Sequence, residues 1–189
     1  MTDINDTIQE PIEQAGKSKI NSRVALFVAI TATFMAICNV KDGNIVQAMD
    51  QAQANSIDAW SYFQAKSTKQ SIAENALELL KLQSPPVSGE IIKKYEEQIA
   101  RYEKEKEEIK SQAEGYKTEY NAINLFDDQF DMTEALLTIS IAMFGITSLT
   151  QKKWLLWFAG TVSSIGVILG LTAFMKISLH SDLISKLLG

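Results

Sequence analysis

One cysteine and one histidine in 189 residues leave little material for redox, metal or nucleophilic chemistry. A lone Cys38 excludes an intramolecular disulfide. With His180 the sole imidazole, no Ser/His/Asp or Cys/His arrangement and no Gly-rich phosphate loop, the chain is not expected to be an enzyme, and no cofactor is expected. Three prolines and nine glycines supply few turns, which points away from a strand-rich fold. Basic residues are also short: 18 Lys and Arg against 23 Asp and Glu give a net charge of -5, which disfavours nucleic acid as a partner. No small-molecule substrate is evident.

Charge is missing altogether from residues 24–40, 135–151 and 154–175. Each run is near the ~20 residues that cross about 30 Å of hydrocarbon. The overall 46% hydrophobic and 22% charged residues resemble a soluble domain only because they merge unlike parts. Residues 41–132 carry 11 Lys or Arg and 17 Asp or Glu, so polar and apolar residues are segregated along the chain. The pattern predicts an all-α integral membrane protein with three transmembrane helices (24–40, 133–151 and 154–175), joined by an extramembrane part (41–132) and a turn at 152–153. A segment 1–23 precedes the first span, and a short tail, 176–189, follows the third.

The first span is expected to be retained rather than cleaved, because four acids lie among the 23 residues before it and no small-residue cleavage pattern follows it. Met35-Ala36-Ile37-Cys38 puts a bulky Ile37 where lipoprotein processing requires a small residue, so Cys38 is read as a small packed side chain. Lys17, Lys19 and Arg23 before the first span, with Lys152 and Lys153 between the second and third, place both segments in the cytoplasm. Lys41, Lys117, Lys176 and Lys186 count against this orientation. It puts 41–132 and the tail on the outer side of a cytoplasmic (inner) membrane.

From Ile92 a heptad runs for more than four repeats, with Ile92, Ile99, Lys106, Ala113 and Tyr120 at a, and Tyr95, Tyr102, Ile109, Tyr116 and Ile123 at d. Four bulky tyrosines in one seam favour a partner helix rich in small residues. Residues 44–83 contain no Pro or Gly and repeat Ile45, Met49, Ala52, Ser56, Ala59, Phe63, Lys66, Gln70, Ala73, Leu77 and Leu80 at alternating steps of four and three. Lys66 and Gln70 weaken the middle of this second seam. Pro85 and Pro86 break the chain between the seams, and Ser88 is a candidate N-cap. The expectation is a long antiparallel, coiled-coil-like helical hairpin with its tip near 84–89 and junctions at 41–44 and 124–131. A compact three-helix unit over 41–132 is the alternative.

Gly160, Ser164, Gly166 and Gly170 form small-xxx-small pairs on the third span, suited either to packing within the chain or to self-association. Trp154 and Trp157 fit an interfacial belt. Asp127, Asp131 and Glu134 share a helical face beside Asp128, where they either attract a cation, weakly as metal ligands, or form a solvated acidic flank. Trp60, Tyr62, Phe63, Lys66, Ser67 and Lys69 form an aromatic and basic cluster that is either a docking surface or a packing face for the returning helix.

The segment 59–70, the stretch 100–108 and the three-span layout together resemble a bacterial membrane-protein family catalogued only as a domain of unknown function. The resemblance implies no activity and no functional residues. Two functions remain in view. The first is an oligomeric, membrane-anchored helical scaffold or accessory subunit that acts through self-association or another membrane protein. The second is a homo-oligomeric channel lined by neutral polar groups such as Thr31, Thr33, Asn39, Thr138, Ser140, Thr147 and Ser163, with an acidic mouth. A small sensor facing the outer side is weaker, because no cytoplasmic output domain is evident.

Overall fold

The computed structural model describes residues 4–177. They form three helices, α1 Ile4–Leu82, α2 Gly89–Thr150 and α3 Lys153–Phe174, and no strand occurs among the described residues. Each helix is long and apolar enough to cross a membrane; the 22 residues of α3 alone extend about 33 Å at ~1.5 Å per residue. Most of the tail, with His180 and Lys186, lies outside the described residues, as does the side chain of Lys17.

Helix is continuous across both junctions, 41–44 and 124–131. Helix α1 runs through the first and α2 through the second. A helical Gly43 costs only about 1 kcal/mol relative to Ala, too little to end a helix continued on both sides. Asn44 is held in the helix as its side-chain amide donates to the Val40 carbonyl at 3.0 Å. The one interruption before α2 is the proline segment, after which the Ser88 hydroxyl accepts the Glu90 backbone N–H at 3.4 Å, as expected of an N-cap. Helix α2 ends at Thr150, and Gln151, with a φ of 57°, reverses the chain before α3 begins at Lys153.

The chain divides into two compact units. One comprises the segments up to Val46 and from Asn124 onward; the other is Gln47–Ile123. The first unit is apolar on its outside as well as within, and holds neutral polar groups in its interior. Thr31, Thr133, Ser140, Thr147 and Ser163 are buried, whereas Leu26, Ile30, Ile139, Ile146, Phe158 and Ile168 face outward. Its buried hydroxyls are satisfied: the Thr31 and Ser163 hydroxyls hydrogen-bond each other at 2.9 Å, and Thr133, Ser140 and Thr147 donate to carbonyls of their own helix. Two aromatic clusters complete it. Phe27 stacks on Phe144 at 5.7 Å beside Val24 and Ala159, and Phe130 meets Phe174 edge-on at 5.3 Å beside Cys38 and Ala173.

In the second unit two helical arms pair. Ser56 donates to the Ala113 carbonyl at 3.3 Å, Lys66 to Glu105, Gln70 to Glu103 at 3.3 Å and Lys81 to Glu96 at 2.9 Å, so partners converge toward the proline segment as antiparallel arms require. Every position of both expected seams within this unit is buried or half-buried. Ala52, Ala73 and Ala113 are among the most enclosed, since small side chains let the backbones approach.

Candidate functional site

Two side-chain constellations stand out, one in each unit. In the second unit, Lys66 and Gln70 interrupt the apolar seam of α1, and the facing arm answers them with polar groups. Glu105 accepts from Lys66 and, on its other oxygen, from the Arg101 Nε at 2.7 Å; Lys106 donates to the Gln70 side-chain carbonyl at 2.9 Å. These bonds hold the Glu105 carboxyl below its ordinary range, chiefly through Lys66 and then Arg101, and raise Lys66 in return. The Lys66 ammonium also lies over the rings of Tyr62 at 5.3 Å and Tyr102 at 5.4 Å, and the Lys106 ammonium over Phe63 at 5.6 Å. A one-residue slip of either arm would strand these groups against apolar neighbours, so the layer selects one register.

The aromatic candidates divide accordingly. Phe63, Tyr95, Tyr102 and Tyr116 are half-buried along the seams, and the Tyr102 hydroxyl accepts from Gln98 at 2.8 Å. Trp60 is half-buried with its ring edge-on to Phe63 at 5.5 Å, while Tyr62 is exposed. Most of the cluster therefore packs, leaving Tyr62 and Lys69 as its outward members. A different exposed feature was not anticipated from the seam: Ile57, Ile72, Leu79 and Leu82 are each more than half exposed. At ~100° per residue they fall within about 80° of one another on the outer face of α1.

In the first unit, Asp127, Asp131 and Glu134 share a face of α2, as their spacing predicts, and α1 adds Asp42 and Asn39. The Asn39 amide donates to Glu134 at 3.4 Å, and Asn124 to Asp128 at 3.4 Å. One Asp42 carboxyl oxygen is buried with no hydrogen-bond partner. Burial, followed by the negative fields of Asp127, Asp131 and Glu134, pushes the Asp42 carboxyl up to about 6. Burial and the neighbouring Asp131 and Asp128 likewise raise Asp127. Among the described residues no three His, Cys, Asp or Glu side chains are grouped so as to hold a metal ion. The arrangement concentrates negative charge around one carboxyl that favours its protonated form.

The sign of the pH effect follows. The folded chain keeps the Asp42 proton up to about pH 6, whereas the unfolded chain releases it near the ordinary value of 3.8. Stability is therefore greatest below pH 3.8 as far as this group is concerned, and it declines as pH rises to about 6. After discounting for solvent screening of a partly exposed group, the penalty at neutral pH is about 1 kcal/mol. Asp42→Asn is expected to raise the unfolding midpoint by about 2–4 °C at pH 7.5. Below pH 3.8 the gain vanishes. A midpoint unchanged at pH 7.5 would show that the carboxyl is not destabilised by its neighbours.

The small residues of α3 part company. A Cβ at Gly166 or Gly170 would meet other side chains of the unit at 2.9 Å, whereas one at Gly160 meets nothing within 4 Å, and Ser164 is exposed. Packing within the chain thus uses 166 and 170 and leaves 160 and 164 on an open surface.

No curated protein matches this chain, and neither does any solved structure. A family model described as a domain of unknown function (DUF4337) matches residues 20–176, and the chain belongs to that family.

Proposed function

We propose that this chain is a membrane-anchored helical scaffold or accessory subunit, oligomeric or bound to another membrane protein, with no chemistry of its own. The observation that carries the reading is the contrast between its two units. One turns apolar side chains outward around hydrogen-bonded hydroxyls, as a hydrocarbon solvent demands. The other is a charged pair of helical arms that still exposes the apolar stripe Ile57, Ile72, Leu79 and Leu82, a surface suited to another helix. Basic residues at Lys19, Arg23, Lys152 and Lys153 support an orientation with the N-terminus in the cytoplasm and the charged arms on the outer side of the inner membrane.

A channel has less to draw on. Thr31, Ser140, Thr147 and Ser163, four of the groups available to line a pore, are buried inside the chain and hydrogen-bonded there.

The test is native mass spectrometry after crosslinking in intact membranes and gentle solubilisation, on the wild type and on Ile72→Lys/Leu79→Lys. The wild type is expected as a multiple of 21.0 kDa or with a stoichiometric foreign subunit. The double variant is expected to lose at least about tenfold of the associated species while keeping its helical signal, because both positions are exposed in the single chain. A wild type found only as a single 21.0 kDa chain would end the scaffold reading.

A further inference from the structure

A groove of about 620 Å³ runs along the first unit between α1 and α3, lined by Arg23, Leu26, Phe27, Trp157, Gly160 and Ser164 among others. It is open because Gly160 contributes no side chain and nothing else fills the space. Its hydroxyls do not make it polar: Ser164 donates to the Gly160 carbonyl at 2.8 Å and Thr161 to the Trp157 carbonyl at 2.9 Å, so each is satisfied by its own helix. The Phe27 ring is fixed in the wall by stacking on Phe144 at 5.7 Å. The volume falls within the ~300–1,000 Å³ range of sites that enclose a small ligand.

Charge lies at one end only. Arg23 is the single ionised residue of the lining, is exposed, and among the described residues has no ion pair or hydrogen bond to another side chain. Lys19 is one turn away, and the α2–α3 turn adds Lys152 and Lys153, also without acidic partners among the described residues. An apolar trough ending at one uncompensated guanidinium is complementary to a long apolar chain carrying an anionic head. A second copy related by a symmetry that brings the same groove to itself would face this Arg23 with another.

We infer that the groove binds an anionic phospholipid, its acyl chain against Gly160 and Phe27 and its phosphate at Arg23. This rests on the reading that the first unit lies in a bilayer. Arg23 supplies a bidentate fork for phosphate oxygens, and Trp157, exposed in the same lining, is of the residue type that favours the headgroup region.

The full chain is reconstituted into nanodiscs holding equal amounts of phosphatidylglycerol and phosphatidylcholine with matched acyl chains, and the lipid retained on release is measured by native mass spectrometry. The wild type is expected to retain phosphatidylglycerol about fivefold over phosphatidylcholine, the effect of one basic residue at an anionic surface. Arg23→Gln should bring the ratio close to one while leaving total lipid unchanged. Gly160→Leu, which fills the groove at a position where a Cβ meets nothing, should reduce retention of both lipids with the helical signal intact. Equal retention by the wild type, or a ratio indifferent to both variants, overturns the site. So does disulfide crosslinking between copies through Thr161→Cys in a Cys38→Ser background, which would make a second copy the occupant. Failure of the chain to enter nanodiscs defeats the bilayer reading itself, whereas entry without lipid preference defeats the site alone.

Discussion

Gly170→Leu is expected to lower the thermal unfolding midpoint by roughly 6–12 °C, the equivalent of about 3 kcal/mol, while Gly160→Leu leaves it within about 2 °C. The two glycines lie on the same helix and look alike in the sequence. A Cβ at Gly170 would stand 2.9 Å from the Phe34 ring and 3.0 Å from the Thr133 methyl, and Phe34 is itself braced by Phe174 at 6.5 Å. Added leucine atoms have nowhere to go without separating α3 from both neighbours. Gly166 is intermediate: its Cβ would meet Leu137 Cδ2 at 2.9 Å, the free end of a side chain, but also Leu136 Cβ at 3.2 Å, which moves only with the backbone. The order of damage should therefore be 170, then 166, then 160. Circular dichroism melts of the three leucine variants in one detergent check it. Equal damage at all three positions would contradict the placement of α3.

Phe130→Ala is expected to cost about 3 kcal/mol, near the lower end for a buried aromatic. Phe130 is 2% exposed and fills the space bounded by Cys38, Ala173 and the Phe174 ring, which meets it at 86°. Collapse into the vacated volume is restrained because the adjacent Gln129 amide donates to the Leu169 carbonyl at 3.1 Å and to the Thr172 hydroxyl at 2.8 Å. The cavity should persist and its lining lose dispersion contacts on one side. Hydrogen exchange provides the local readout: amides in the last turns of α3 should lose protection together with a drop in midpoint of roughly 6–12 °C. Phe130→Leu, which keeps most of the volume, should recover the larger part of both. An Ala variant with unchanged protection in α3 would show that the ring does not hold α3 in place.

The seams of the second unit were legible because periodicity alone determines which side chains share a helical face. Tyr95, Tyr102, Ile109 and Ala113 turned inward as their spacing required. The weak middle of the α1 seam was legible only as a defect. That Lys66 and Gln70 meet Glu105, Glu103 and Lys106 depends on the register of the opposite arm, which no local pattern encodes. The continuity of α1 through Gly43 was likewise a matter of context, since helix on both sides outweighs a penalty of about 1 kcal/mol.

The acidic site divides in the same way. Asp127, Asp131 and Glu134 announce a shared face by their spacing, but Asp42 lies 85 residues before Asp127 and acquires its raised affinity for protons only when α1 packs beside α2.

By itself the sequence determined the helical class, the three apolar windows and the inward faces of the charged arms, since each follows from composition and period within one segment. Tertiary structure alone decided which of four similar small residues on α3 are occupied, which polar groups find partners, and which carboxyl is left without one. Those outcomes depend on the rotation and register of helices distant in the chain, and interior packing is selective at the scale of a single methyl group.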